Sequence, residues 1–403
     1  MSKTIIIIGA GLAGLSAALQ AAENGCNVKL VSSLPSERAQ SVMAEGGINA
    51  ALNTKDENDS PEEHFTDTIK AACGLADPNA VWGMTQAAPE LVHWLLKLGV
   101  KFNMSGYDDV DLRNFGGQKK KRTAFAQSDT GKQIMTAMID AVRRKEASGM
   151  VERVSHHSFL TLSLCGNICC GCVIRDEYSQ ETVELPGDAV IVATGGMHGL
   201  FGNTTGSLSN TGEVTAELFR LGVPLANGEM IQYHPTTVKC GGKRMLISEA
   251  ARGEGGRLFA MKDGKQWYFM EEKYPELGNL MPRDITAREI WKVSHESEVF
   301  LDMTEISEEI ISNKLSGLAD DCMTYLHKDI RKEPVSVLPG IHYFMGGILV
   351  DEQHRTPIQN LCAAGECCAQ YHGANRLGGN SLLGALYGGR VAAKSACEQA
   401  DVV

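Results

Sequence analysis

No stretch of this chain approaches the ~20 consecutive apolar residues that a membrane-spanning helix requires, so a helical membrane protein is excluded. A basic excess is missing too. Lys and Arg total 38 against 49 Asp and Glu, a net charge of −11, which counts against nucleic acid and against an anionic membrane surface as partners. A site for an anionic substrate must therefore build its own positive field. Twelve cysteines are present, but not the spacing of a metal framework. Cys165, Cys169, Cys170 and Cys172 follow neither a zinc-ribbon nor a ferredoxin pattern and lie in a strand-like stretch, 159–175, where small buried cysteines pack well. Packing is the reading adopted for them, and for Cys362, Cys367 and Cys368, with metal ligation as the alternative. No secretion signal precedes the first motif, so the expected setting is a reducing cytoplasm. Internal repeats and low-complexity segments are absent.

What is there begins at once. Ile5-Ile6-Ile7-Ile8 runs into Gly9-Ala10-Gly11-Leu12-Ala13-Gly14 and then an alanine-rich segment. Four β-branched residues read as a buried parallel strand, and the alanines as a packed helix. Gly9 permits the tight turn, Gly11 lets backbone approach a pyrophosphate, and Gly14 lets helix pack on strand. Phosphates then sit on the helix N-terminus, where unpaired N–H groups and the dipole favour negative charge. The context makes this a dinucleotide site, the alternative being a similar turn without a ligand. The next strand, Asn27-Val28-Lys29-Leu30-Val31, ends in Ser32-Ser33 where an acid usually holds the adenosine ribose.

At 403 residues the chain has room for two or three domains and a large core. A glycine-bearing loop, Ala44-Glu45-Gly46-Gly47, precedes a polar segment at 56–61 and helical patterns through Leu98. The basic stretch 118–122 reads as a solvated turn, Arg122 excepted, and a helix is expected at 132–145. Strand signals cluster over 151–192 and end at Ala193-Thr194-Gly195-Gly196, a second place where backbone can approach a nucleotide closely. From about residue 227 to 339 the pattern changes to polar loops and helices. Strands at 346–350 and 361–366 then return to the first domain. The expected fold is α/β: a Rossmann-like dinucleotide-binding domain, 1–226 and 340–403, interrupted by an inserted domain, 227–339.

Several motifs, in order, are specific: Gly9–Gly14, Ala44-Glu45-Gly46-Gly47, Gln232-Tyr233-His234-Pro235-Thr236, Ser248-Glu249-Ala250-Ala251-Arg252-Gly253, Pro282-Arg283-Asp284, His342-Tyr343-Phe344-Met345-Gly346-Gly347 and His372-Gly373-Ala374-Asn375-Arg376-Leu377. Together they resemble the flavoprotein subunits of fumarate reductase and succinate dehydrogenase, a family that also contains L-aspartate oxidase, over essentially the whole chain. The resemblance implies a Rossmann-like FAD-binding domain and makes the insert, 227–339, an α+β capping domain, with dicarboxylate bound between the two. It assigns Gly9, Gly11, Gly14, Ser32, Ser33, Gln40, Ser41, Gly46, Gly47, Ala193, Thr194, Gly195 and Leu377 to the cofactor. Glu366 goes to a flavin ribose, and Ser381 and Leu382, at a helix start, to the flavin ring. Glu213 stands where the family usually has aspartate.

Two departures carry information. Membrane-bound members attach flavin to a histidine whose position here is Gln40. An amide cannot form that bond, so FAD is expected to be non-covalent, which favours fumarate reduction over succinate oxidation. The family's C-terminal helical domain, which helps dock an iron–sulfur subunit, is missing, which counts against such a partner. Nothing marks a nicotinamide, haem or iron–sulfur site, so the electron donor or acceptor is unidentified.

The resemblance casts Arg283 as proton donor, with Glu249 and Arg252, three residues apart on one helical turn, as its relay. Arginine hardly deprotonates in water, so the competing reading is a charge clamp with water as acid. His234, His342 and Arg376 match groups that bind and polarise the two carboxylates, and Arg376 can grip one bidentately. Ser248 keeps a hydroxyl at the same site. His64, His93, His156, His157, His295, His327 and His354 read as surface or packing residues. Phe115 occupies the place where L-aspartate oxidase has the glutamate that pairs with an ammonium, and so favours fumarate over aspartate. A urocanate-like enoate acceptor and a non-catalytic electron-transfer module remain as alternatives.

Overall fold

The computed structural model describes residues 2–107 and 109–400. The isoleucine run forms the central strand of a five-stranded parallel sheet, in the order Leu361–Ala363, Ala189–Val192, Thr4–Ile8, Asn27–Ser32, Val151–Ser155. Alternate side chains of a strand point to opposite faces, and here both faces are covered. Ile5 and Ile7 join a cluster with residues of the helices Leu12–Glu23, Pro78–Leu98, Thr130–Ala147 and Asn380–Gln399. Ile6 and Ile8 join a second cluster that includes Phe159, Leu162, Cys169 and Cys172. Two buried faces explain an apolar run with no polar alternation.

The second face is covered by an antiparallel sheet of His157–Cys165, Ile168–Asp176 and Thr182–Pro186. Cys169 and Cys172 are buried between the sheets, and burial pushes their thiols up, to about 11 and about 12. On the first face Leu12–Glu23 packs on Asn380–Gln399. A Cβ on Gly389 would lie 2.3 Å from the carbonyl oxygen of Ala13, and Ser16 Oγ donates to Leu386 O at 2.7 Å.

Between the strands Ala189–Val192 and Leu361–Ala363 the chain builds two further antiparallel sheets. One pairs Lys243–Leu246, Ile231–Cys240 and Leu338–Phe344. The other pairs Lys265–Trp267, Arg257–Lys262, Val299–Asp302 and Val335–Ser336. A third cluster lies here, drawn entirely from residues between Val238 and Val337 apart from Phe115.

Of the two segments expected to return to the first domain, Leu361–Ala363 joins the parallel sheet. Gly347–Ile348 pairs instead with Leu225–Ala226. The basic stretch is solvated at Lys119 and Lys121, which are exposed, and Arg122 is the exception expected. Arg122 is fully buried against Asp59 at 2.8 Å and Asp67 at 3.0 Å, and Gln118 Nε2 donates to Gly378 O at 2.9 Å. Among the described residues no helix is long and apolar enough to cross a membrane.

Candidate active site

A cavity of about 840 Å³ runs from the carboxyl ends of the parallel strands to the inserted sheets, within the range that holds cofactor-sized ligands. Its nucleotide end is built by the first strand–turn–helix unit. Gly9 has φ +109°, and a Cβ there would strike the Ala193 carbonyl oxygen at 2.3 Å; a Cβ on Gly14 would come within 1.8 Å of Gly9 O. Only glycine lets Thr4–Ile8, Ala189–Val192 and the helix converge this closely. At Gly11 the nearest atoms to an added Cβ are 3.8 Å away, and the residue lines the cavity.

The helix Leu12–Glu23 begins there with Gly11 as its N-cap and no acid in its first turn, Leu12 N–H alone meeting a side chain, Ser41 Oγ at 3.4 Å, which leaves further N–H groups and the positive dipole end for an anion. A second helix, Asn380–Gln399, starts with no side-chain cap, and Ser381 and Leu382 line the same cavity. Two helix N-termini and a glycine turn suit a pyrophosphate and an electron-rich ring, and these residues therefore fit FAD.

At the other end stands a buried ladder of charge. Arg283 opens the helix Arg283–Val293 after Pro282, which fixes the entry of the chain. Its Nε donates to Glu249 Oε2 at 2.7 Å, its Nη2 lies 2.6 Å from the same oxygen, and its Nη1 donates to Gln232 Oε1 at 3.0 Å. Glu249 Oε1 accepts from Gly116 N–H at 2.9 Å and lies 3.5 Å from Arg252 Nη2. Burial raises the Glu249 carboxyl, but the Arg283 and Arg252 guanidiniums and the hydrogen bonds from Arg283 and Gly116 outweigh it and hold the group below its ordinary value. Glu249 is thus a carboxylate fixed between two cations. Arg252 lies behind it, with Nη1 donating to Asn279 O at 2.6 Å.

Arg376 faces the same space. Its guanidinium lies 4.3 Å above the Tyr343 ring, and its Nε is buried without a hydrogen-bond partner. Burial, then Arg283, pulls it down to about 9. His234 and His342 approach each other with ring centroids 5.0 Å apart. Both are held well below the ordinary histidine value, by burial first and then by neighbouring groups that include Arg283, so both are neutral. His234 Nδ1 lies 3.1 Å from Thr236 O and 3.3 Å from Thr236 N–H, and the Thr205 hydroxyl lies 2.7 Å from His342 Nδ1. A carbonyl only accepts, so His234 carries its proton on Nδ1 and presents Nε2 as an acceptor, whereas His342, with Nδ1 accepting from Thr205, keeps its Nε2 proton to offer an anion. Three guanidiniums against one carboxylate give the positive field that a chain of net charge −11 otherwise lacks.

Of the residues expected at the site, the cavity wall includes Gly9, Gly11, Ser32, Ser33, Gln40, Ser41, Gly46, Gly47, Ala193, Thr194, Gly195, Glu213, Glu366, Ser381, Leu382, Phe115, His234, Ser248, Glu249, Arg283, His342 and Arg376. Gly14, Arg252 and Leu377 are not on it. Leu377 is buried against Gly117, whose added Cβ would sit 3.1 Å from its Cδ2. The Glu366 carboxylate is oriented by Phe344 N–H and faces His198 Nε2, both at 3.1 Å.

Sequence reasoning passed over Gln232, whose Nε2 donates to Arg376 O at 2.7 Å while its oxygen holds Arg283. It also passed over His156 and His157, which line the nucleotide end. A motif pattern reports neither kind of contact, because the partners are far apart in the chain. Among the described residues no group of three or more His, Cys, Asp or Glu could hold a metal ion.

The chain is similar over nearly its whole length to known flavoproteins. A family model described as FAD binding domain matches residues 4–382. The succinate dehydrogenase flavoprotein subunit of Bacillus subtilis (strain 168) is 44% identical, the match covering 98% of this chain and 69% of that protein. L-aspartate oxidase of Streptomyces coelicolor is 34% identical, covering 98% of this chain and 68% of the other. The quinol fumarate reductase flavoprotein of E. coli superposes with a TM-score of 0.92 at 31% identity, over 100% of this chain and 71% of that one.

Proposed function

Since the chain belongs to the FAD binding domain family that includes the succinate dehydrogenase and fumarate reductase flavoprotein subunits and L-aspartate oxidase, and is an FAD-dependent oxidoreductase, we propose that it reduces fumarate to succinate with non-covalent FAD. One observation carries this reading. The Arg283–Glu249 pair, backed by Arg252, shares with Arg376, His234 and His342 the same cavity that the two helix N-termini enter.

Bound reduced FAD supplies a hydride, and the chain's own residues do the rest. Arg376 grips one carboxylate through its guanidinium fork. Neutral His342 donates an Nε2–H hydrogen bond to a carboxylate that gains charge as the alkene is reduced, with the His234 ring packed beside it. Arg283 delivers the proton to the second alkene carbon. The carbanion character that develops there makes guanidinium an adequate acid, and Glu249 returns a proton from the Arg252 side. Burial of the ladder keeps bulk water from competing.

Phe115 supports fumarate over aspartate. It is buried among Val238, Ile247 and Ala250 at the cavity wall, and a phenyl ring cannot pair with an ammonium. Gln40 at the wall supports non-covalent FAD. A separate core between Val238 and Val337 supports reading 227–339 as a capping domain on an FAD domain of 1–226 and 340–403. The test is anaerobic reoxidation of the dithionite-reduced protein by a panel of enoates. Fumarate is expected to be fastest, and faster reoxidation by urocanate or another monocarboxylic enoate would replace it.

A further inference from the structure

In a strand–glycine–helix nucleotide turn, a carboxylate at the end of the second strand grips the ribose hydroxyls. This chain has Ser32-Ser33 there, and both line the cavity. The carboxylate that reaches the same wall comes from elsewhere. Ser32 stands in register with Ser155 on the edge strand Val151–Ser155. The next residue, His156, has φ +60° and turns the chain into the antiparallel sheet. Its carbonyl accepts from Glu177 N–H at 2.8 Å, and its ring lies 5.2 Å from that of Tyr178. The turn after Ile168–Asp176 is thereby pinned beside the end of the second strand. It is rigid in its own right, since Asp176 Oδ1 accepts from Tyr178 N–H at 2.8 Å and Ser179 N–H at 2.7 Å.

The Glu177 carboxylate is aimed in turn by the Ser158 hydroxyl, which donates to Oε1. Ionised carboxylate offers about four acceptor positions, and Ser158 occupies one. Glu177, Ser158, His156 and Tyr178 all line the cavity with Ser32 and Ser33.

We propose that Glu177 is the residue that accepts hydrogen bonds from the adenosine ribose hydroxyls of FAD, in place of the acid missing after the second strand. The inference rests on the cavity being the FAD site. It implies that the antiparallel sheet contributes directly to cofactor selection as well as covering the parallel one.

The test is a cycle of two proteins and two ligands. FAD-free wild-type and Glu177→Ala protein are each titrated with FAD and with an FAD analogue whose adenosine ribose lacks both hydroxyls, and affinity is read from the change in flavin fluorescence. Glu177→Ala is expected to weaken FAD about tenfold, the scale of a hydrogen bond to a charged group. The analogue should bind wild type about tenfold more weakly than FAD does and be indifferent to the substitution. Equal FAD affinity in the two proteins, or independent losses that simply multiply, would overturn the proposal. A wild-type protein that takes up no FAD would instead overturn the cofactor site itself. Glu177 is exposed, so the substitution leaves folding intact, and an unchanged melting temperature of the FAD-free variant checks this.

Discussion

Glu249 Oε2 receives both Nε and Nη2 of Arg283, at 2.7 and 2.6 Å. One carboxylate oxygen therefore holds the guanidinium by an edge, while Nη1 is held by Gln232. An arginine fixed on two sides is oriented before any substrate arrives, as an acid that must act on one carbon requires.

Arg283→Ala is expected to lower turnover by about 10²–10⁴-fold, the range for loss of a positioned acid, with flavin content unchanged. Arg283→Lys restores only part, because an ammonium lacks the planar fork that meets Glu249. Arg376→Ala behaves differently and mainly raises KM. Steady-state kinetics on the three variants separates the roles. Near-normal turnover at saturation in Arg283→Ala would make this arginine a binding clamp.

Acid precipitation should release all the FAD into the supernatant, since Gln40 offers no nucleophilic ring nitrogen. Yellow colour retained by the denatured pellet would contradict non-covalent binding.

The buried ring of Phe115 predicts poor chemistry with L-aspartate. Anaerobic mixing of the oxidised protein with L-aspartate should bleach the flavin far more slowly than succinate does. Rapid bleaching by L-aspartate would move the assignment to an amino-acid oxidase.

Glu45 provides a pH signature. Burial first, then the charges of Asp321 and Asp129, raise its carboxyl from 4.5 to about 8. The folded protein therefore binds a proton there that the unfolded chain releases, so this group's contribution to stability is complete below pH 4.5 and lost as pH rises towards 8. Denaturant midpoints should fall across that window, and Glu45→Gln should flatten the decline. An unchanged slope in the variant would assign it to other groups.

What could be read from sequence were features whose partners are local. Four isoleucines announced a strand with two buried faces, and Ser248, Glu249 and Arg252 announced one turn of helix. Where the partner is distant, the residue type alone carried little. Arg122 stood out from its basic neighbours, but Asp59 and Asp67, which neutralise it, looked like ordinary polar positions. His64 read as a packing residue; it is fully buried, but it contacts Asn380 at 2.9 Å, at the very start of the helix that enters the cavity. Gln232 and Glu177 bear on the site only because sheets formed by remote segments bring them there.

The junction of Leu12–Glu23 with Asn380–Gln399 also sets an order of assembly. The first turn of the nucleotide site leaves the ribosome more than three hundred and fifty residues before its counterpart at Ser381 and Leu382. Until then the surface awaiting Gly389 beside Ala13 is uncovered. The nascent chain thus carries half a cofactor site until that helix emerges, and flavin loading must wait for it. Substitutions along that helix seam should accordingly lower the yield of flavin-loaded protein even where they leave the chemistry of each finished molecule intact.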